Sequence, residues 1–136
     1  MGITPDQRDE LVSRARLTRR RAYAPYSDYA VGAALLAASG EVYEGVNVEN
    51  AAYPAGMCAE RTALFTAVTQ GEREFSAIAV VTENGGTPCG SCRQALSEFG
   101  LAMVVVVADA KGNVVHEIPL GELLPEAFGP SKLAHG

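Results

Sequence analysis

All three cysteines of this chain lie in two short motifs. Cys58 begins the run CAER at 58–61, and Cys89 and Cys92 lie in PCGSC at 88–92. Thiolate sulfur is a good zinc ligand, and a catalytic zinc site typically takes three protein ligands and leaves the fourth position to water. The sequence therefore predicts a zinc site formed by Cys58, Cys89 and Cys92, and the fold has to bring both motifs together.

Glu60 lies two residues after the first predicted ligand. A carboxylate there can face the open position of the metal without occupying it, which is where a general acid/base has to stand. We therefore predict that Glu60 is the catalytic residue that carries protons.

Other uses of three cysteines fit this chain less well. A structural zinc site needs a fourth protein ligand, and the candidates are His116 in a predicted strand and His135 in the tail. A redox Cys-x-x-Cys pair leaves Cys58 and Glu60 without a role. The odd number of cysteines does not suggest a disulfide framework, and a reducing compartment keeps all three thiols free for a metal.

Length and composition predict one domain of ordinary size, and the charge favours a small ligand as its partner. The chain has 136 residues, of which 48% are hydrophobic, and we expect a single domain spanning 1–136. A formal net charge of −5 argues against a nucleic-acid partner. The sequence shows neither an apolar stretch of membrane-span length nor a signal pattern, so we predict a cytoplasmic protein with no membrane partner.

The hydrophobic pattern predicts alternating helices and strands. Thr4, Pro5 and Gln7 form a helix start, and we expect that helix to continue to about Ala22. The further predicted elements are a hairpin of strands 29–37 and 41–49, helix 58–70, strand 76–82, helix 89–99, strand 103–108, a strand from Val114, and a short helix at 120–124.

This order predicts an α/β fold, a three-layer α/β/α sandwich around a mixed five-stranded sheet. Strands 41–49, 76–82 and 103–108 are joined by helices, and such crossovers predict parallel pairing. Only a turn fits between Ala108 and Val114, so the last two strands should be antiparallel.

The predicted metal site carries excess negative charge, since three thiolates outweigh one divalent zinc ion. All three cysteines lie at predicted helix amino ends, where the dipole amounts to roughly half a positive charge per helix. Arg61 is able to donate hydrogen bonds to the sulfurs, or it is an exposed helix arginine, and its spacing alone favours neither interpretation.

The chain resembles the small homotetrameric cytidine deaminases, and the resemblance covers most of its length. The zinc motif itself, a Cys two residues before Glu and then Pro-Cys-x-x-Cys, is similar to that of zinc nucleobase deaminases in general. The pieces that carry the family resemblance are YSDYAVGAA at 26–34, NVEN at 47–50, CAER at 58–61, PCGSCRQ at 88–94 and LLPEAF at 123–128.

The resemblance implies a function and a set of binding residues. It implies zinc-dependent deamination of cytidine and 2′-deoxycytidine, a reaction of pyrimidine salvage, in a homotetramer whose subunits share active sites. The implied contacts are Asn47 and Glu49 to the ribose hydroxyls, the Ala59 amide to the base carbonyl, Tyr29 against the nucleoside, and Tyr53 and Phe128 from neighbouring subunits.

Tyr29 departs from the family pattern, which usually has Phe at this position. The added hydroxyl group needs a polar partner if the ring is buried.

Relatives that share the zinc motif act on other substrates, namely adenosine, guanine, blasticidin-type antibiotics and polynucleotide cytosines. The carboxylate of Glu49 favours a free nucleoside because it accepts hydrogen bonds from hydroxyls and repels a phosphate. Relatives in the branch that acts on polynucleotides have a helix between the last two strands, so the predicted turn after Ala108 also argues against a resemblance to that branch.

Overall fold

The protein was analysed as a computed structural model, which describes residues 2–133. Its helices and strands, in chain order, are α1 Pro5–Thr18, β1 Gly32–Ala37, β2 Val42–Val46, α2 Ala59–Thr69, β3 Phe75–Val81, α3 Gly90–Ser97, β4 Val104–Ala108, β5 Val114–Pro119 and α4 Leu120–Leu123. Within residues 2–133, the helices are all too short or too polar to cross a membrane.

The five strands form one mixed sheet in the order β2-β1-β3-β4-β5. Strands β3 and β4 are parallel, and the other three neighbouring pairs are antiparallel. The structure confirms the predicted five-stranded mixed sheet and its antiparallel last pair.

One predicted pairing is wrong. The crossover through α2 does not place β2 beside β3, because β1 lies between them and is antiparallel to both. Burial explains this order. All six residues of β1 are buried, whereas Gly45 is the only buried residue of β2. A strand buried on both faces belongs inside the sheet, and the more polar half of the hairpin takes the edge.

Helices cover both faces of the sheet, which confirms the three-layer arrangement. On one face α1 packs against β1, β3 and β4, and on the other face α2, α3 and α4 cover the same strands. The α1 core includes Leu11, Val12, Ala15, Leu36, Val81 and Val106, and the opposite core includes Leu35, Ala63, Leu64, Ile78, Leu96 and Val105.

Helix α1 begins as predicted but ends earlier. Thr4 and Gln7 form the predicted capping box, whereas the α-helix stops at Thr18 and gives way to a 3-10 turn at Arg19–Arg21. The backbone of Tyr23 pairs with residues 47 and 49, which requires an extended chain. This tertiary pairing overrides the helical tendency of residues 19–22.

The start of α2 rests closely on the edge strand β2. A Cβ atom on Gly45 would lie 2.5 Å from the carbonyl oxygen of Ala59 and 2.5 Å from the amide nitrogen of Ala63. Both are backbone atoms, so a change of side-chain rotamer cannot relieve the clash. Gly45 therefore sets how near the first turn of α2, which carries the CAER motif, lies to the sheet.

We expect Gly45→Ala to destabilise the protein by about 1–3 kcal/mol, the usual cost of overpacking a filled contact. For a chain of this size the melting temperature should fall by several degrees. Gly129→Ala is a matched control, because an added Cβ there meets nothing within 4 Å. Equal melting temperatures for Gly45→Ala and the control would contradict the close packing.

Candidate metal centre and active site

The two cysteine motifs meet in space as predicted. The Sγ atoms of Cys58 and Cys89 are 4.0 Å apart, and those of Cys89 and Cys92 are 3.5 Å apart. All three sulfurs lie within 4.8 Å of one another, and all three thiols are free. Cys58 is half-buried, Cys89 is exposed and Cys92 is fully buried, so the cluster faces solvent on one side only.

These three sulfurs fit a zinc ion. A tetrahedral zinc with bonds of about 2.3 Å to sulfur holds its sulfurs about 3.8 Å apart, close to the observed spacing. Among residues 2–133 the cluster contains no histidine or carboxylate as a fourth ligand. His116 lies on the exposed strand β5, and His135 lies outside the described residues.

Two helix amino ends converge on the cluster. Cys58 is the N-cap residue of α2 and Cys89 is that of α3, and Cys92 lies in the first turn of α3. The unpaired amides and the dipole at each helix start favour negative charge. The fold therefore places thiolates where the backbone already stabilises them.

The thiols differ in acidity. Hydrogen bonding with the neighbouring Cys92 thiol lowers the pKa of Cys58 to about 5. Arg61 acts in the same direction, and burial opposes both. Hydrogen bonding with Cys58 and then burial raise the pKa of Cys92. In the metal-free protein the first negative charge of the cluster therefore sits on Cys58.

Arg61 is not a freely solvated helix arginine. Its Nη2 atom donates to the Sγ of Cys58 at 3.5 Å, and its side chain is half-buried. The Nε atom is buried and has no hydrogen-bond partner in the described part of the chain. This geometry favours the first of the two interpretations of Arg61, in which its charge faces the sulfurs.

Glu60 is 5% exposed, which is unusual for a carboxylate. Burial raises its pKa, and the neighbouring Cys58 charge acts in the same direction, while Arg61 opposes them. A carboxyl group with a raised pKa takes up and gives away a proton more readily near neutral pH.

A cavity of about 280 Å³ brings most of the predicted site residues together. Its walls include Tyr29, Asn47, Glu49, Cys58, Ala59, Glu60 and Cys89. Residues predicted for the sugar, the base, the metal and the proton transfer thus share one small cavity. Cys92 lies buried beside it.

A larger cavity of about 640 Å³ adjoins the first and shares Ser27, Asn47, Glu49 and Cys58 with it. Arg61 and Tyr53 line this second cavity, and Tyr53 is 75% exposed and meets Tyr26 edge-on with ring centroids 5.9 Å apart. Phe128 is a lining residue of neither cavity. Its ring is 58% exposed, and its backbone oxygen accepts a hydrogen bond from Gln94.

The carboxylate of Glu49 is held in place by a turn that the sequence analysis did not assign a role. Both Ser27 N–H and Tyr26 N–H donate to its Oε1 atom, at 3.1 and 2.9 Å, and the Ser27 hydroxyl donates to Oε2. The Ser27 hydroxyl bond is the largest cause of a lowered pKa at Glu49. Glu49 is therefore ionised and oriented at neutral pH.

Asn47 is fixed by the backbone of the neighbouring loop. Its Oδ1 accepts from Val31 N–H at 2.9 Å, and its Nδ2 donates to the carbonyl oxygen of Tyr29 at 2.8 Å. One hydrogen on Nδ2 and one lone pair on Oδ1 remain for a ligand.

Arg93 is a second residue that the sequence analysis did not single out. Its guanidinium donates to the Pro88 carbonyl at 2.7 Å, to Thr87 Oγ1 at 3.0 Å and to the Leu123 carbonyl at 2.8 Å. It thereby ties the segment before Cys89 to the end of α4.

For Ser27, the turn composition of residues 24–28 was an available signal, whereas nothing in the sequence pattern marks the contacts of Arg93.

Comparisons with known proteins show the family to which the chain is similar. Residues 5–108 match the family model described as "Cytidine and deoxycytidylate deaminase zinc-binding region". A cytidine deaminase from Sporosarcina psychrophila is 45% identical over 130 residues, which cover 93% of this chain and 95% of the relative. One from Halalkalibacterium halodurans is 46% identical over 123 residues, 89% of this chain and 93% of the relative.

Solved structures give the same result. The crystal structure of cytidine deaminase from Burkholderia pseudomallei matches with a TM-score of 0.84 and 46% identity, covering 93% of this chain and 100% of that chain. That of Mycobacterium tuberculosis matches with a TM-score of 0.79 and 37% identity, covering 89% and 96%.

The thiol acidities lead to a test on the metal-free protein. Because its pKa is lowered to about 5, Cys58 should be a thiolate at neutral pH and lose that charge as the pH falls through about 5. Arg61→Ala removes a positive charge and should raise the midpoint. The thiolate absorbance, followed during a pH titration, reports both values.

Arg14→Ala serves as the control, since Arg14 pairs with Glu44 at 2.8 Å, away from the sulfurs. A first thiol midpoint near the ordinary value of about 8.5, or one that Arg61→Ala leaves unchanged, would contradict this account.

Proposed function

Because this chain belongs to the cytidine and deoxycytidylate deaminase family, we propose that it hydrolyses cytidine and 2′-deoxycytidine to uridine and 2′-deoxyuridine and releases ammonia. The observation that carries the proposal is the buried Glu60 carboxylate, which lines the same small cavity as Cys58 and Cys89. Relatives that match about nine-tenths of the chain are cytidine deaminases, which supports this choice of substrate.

Cys58, Cys89 and Cys92 would hold the zinc ion. When bound, zinc supplies the Lewis acidity that makes water a nucleophile near neutral pH. The two helix amino ends and Arg61 offset the negative charge of the thiolates, which would otherwise weaken this effect.

Glu60 carries the protons. It takes a proton from the attacking water and passes it to the ring nitrogen N3, which makes C4 of the base more electrophilic. A bond then forms between the water oxygen and C4. Glu60 next moves the remaining proton of that oxygen to the amino group at C4, the C4–N bond breaks, and ammonia leaves as the C4 carbonyl of the uracil base forms. General acid/base catalysis of this kind contributes about 10²–10⁴ in rate.

The remaining cavity residues bind the nucleoside. Glu49 accepts hydrogen bonds from the ribose hydroxyls, and Asn47 donates to them through Nδ2. The ionised Glu49 disfavours a substrate with a phosphate nearby. The amide of Ala59, in the first turn of α2, has no partner within the helix and is free for the base carbonyl. The ring of Tyr29 packs on the nucleoside.

A reducing compartment suits this site, since the three cysteines have to remain thiols. We therefore propose that the protein works in the cytoplasm, in pyrimidine salvage, on free nucleosides rather than on nucleic acid.

The direct test is ammonia release by the purified zinc-loaded protein with four substrates: cytidine, 2′-deoxycytidine, blasticidin S and a cytosine oligonucleotide. Turnover of the two nucleosides, and little of the other two, is expected. Faster turnover of blasticidin S or of the oligonucleotide would overturn the assignment.

We also propose that the protein is a homotetramer whose subunits complete one another's active sites. Phe128 and Tyr53 are aromatic side chains with 58% and 75% exposure, and the Phe128 ring lines neither cavity of its own chain. Arg61 and Asn50 line the larger cavity, whose volume of about 640 Å³ leaves room for an aromatic side chain of a neighbouring subunit.

Glu60→Gln tests the proton carrier. The amide cannot carry the proton, so turnover of cytidine should fall by about 10²–10⁴ while one zinc per chain is retained. Metal analysis and steady-state kinetics measure both, and the exposed Glu41→Gln is the control. Loss of zinc in Glu60→Gln, or turnover within a fewfold of the original, would refute the assignment.

Phe128→Ala tests the shared site. Stacking of a base on an aromatic ring is worth about 1–3 kcal/mol, so KM for cytidine should rise about fivefold or more. Mixing Phe128→Ala chains with Glu60→Gln chains under conditions of subunit exchange creates some sites that have both groups. Activity at low cytidine should then exceed the sum of the separate proteins, and a strictly additive result despite proven exchange would show that each chain completes its own site.

A further inference from the structure

We propose that Tyr29 is a positioning residue, whose hydroxyl group holds the loop before Cys89 in place through a hydrogen bond to Asn84. The inference deepens the proposed function, because that loop leads into a predicted metal ligand and lines the same cavity as Glu60.

The bond joins two segments that are distant in sequence. The Tyr29 Oη atom donates to Asn84 Oδ1 at 2.7 Å, across 55 positions of the chain. Asn84 lies in the loop 82–88, which connects the end of β3 to Cys89. Within this loop, Gly86 N–H donates to Thr82 Oγ1 at 2.8 Å, so the segment that receives the Tyr29 bond is itself a closed turn.

The loop fits tightly around the hydroxyl group. A Cβ atom on Gly86 would lie 2.8 Å from Tyr29 Oη, so a glycine leaves the space that the hydroxyl occupies. A Cβ atom on Gly85, which has a φ of +76°, would likewise lie 2.8 Å from Cγ2 of Val115 on β5. Glycine at 85 and 86 therefore lets the loop lie close to Val115 of the edge strand and to the Tyr29 hydroxyl, and a Cβ atom at either position would collide with that neighbour.

The backbone of Tyr29 is hydrogen-bonded to residues on which the predicted binding of the sugar depends. Its N–H donates to Ser27 Oγ at 3.1 Å, and its carbonyl accepts from Asn47 Nδ2 at 2.8 Å. Ser27 in turn holds Glu49. Tyr29 thus links the residues that would hold the ribose to the loop that leads to Cys89, and phenylalanine would provide the ring without this link.

Removal of the hydroxyl should loosen the loop while the ring stays. Tyr29→Phe keeps the aromatic surface that packs on the nucleoside, so KM for cytidine should change less than kcat. The kcat should fall about two- to tenfold, the range of one net hydrogen bond, because the Cys89 side of the site is no longer fixed relative to Glu60.

The experiment is a double-mutant cycle with Tyr29→Phe, Asn84→Ala and both together, in the zinc-loaded protein. Each single variant should lower kcat by a similar factor and speed amide hydrogen exchange across residues 83–89, and the double variant should be no worse than either one. Tyr23→Phe is the matched control, since that side chain is 57% exposed and lies in neither cavity.

Additive losses in the double variant, or unchanged exchange in both single variants, would overturn the proposal. If Tyr29→Phe fails to fold, Asn84→Ala on the exposed loop alone has to reproduce the faster exchange. A wild-type protein inactive on cytidine would reject the proposed function, whereas the exchange measurement would still decide whether Tyr29 holds the loop.

Discussion

The convergence of three cysteine sulfurs on one point, within 4.8 Å of one another, is the constraint on which the rest of this structure depends. Three thiolates around one divalent ion carry an excess negative charge, and burial of such charge is costly unless neighbouring groups offset it. The fold provides two helix amino ends and one arginine at this point. The positions of the two helix amino ends therefore determine how well the protein stabilises the charge of its metal site.

Contacts outside the cysteine cluster position the elements that form the site. Gly45 lets α2 approach β2 closely, and the hydrogen bonds of Arg93 fasten the segment before α3 to the end of α4. Ser27 orients the carboxylate of Glu49, which lines the same cavity. The reacting region is thus built from helix starts and loops that rest on a buried sheet, an arrangement that suits a small site with fixed geometry.

Much of this was predictable from sequence because the relevant signals are local. The two cysteine motifs predicted the cysteine cluster. Apolar runs and turn residues predicted the five strands and their flanking helices. The pairing of β2 was predicted wrongly, since strand order depends on the two-sided burial of β1, which a crossover pattern does not report. The hydrogen bonds of Asn84 and Arg93 were missed for a similar reason. Their contacts are made over 55 and 30 positions of sequence, and one chain alone carries no signal of them.

We propose that three cysteine sulfurs and one non-protein ligand form the metal site. X-ray absorption at the zinc edge of the purified protein measures this ligand set directly. We predict three sulfur atoms at about 2.3 Å and one oxygen at about 2.0–2.2 Å. Four sulfur ligands, a histidine nitrogen from the protein, or fewer than three sulfurs would contradict the account.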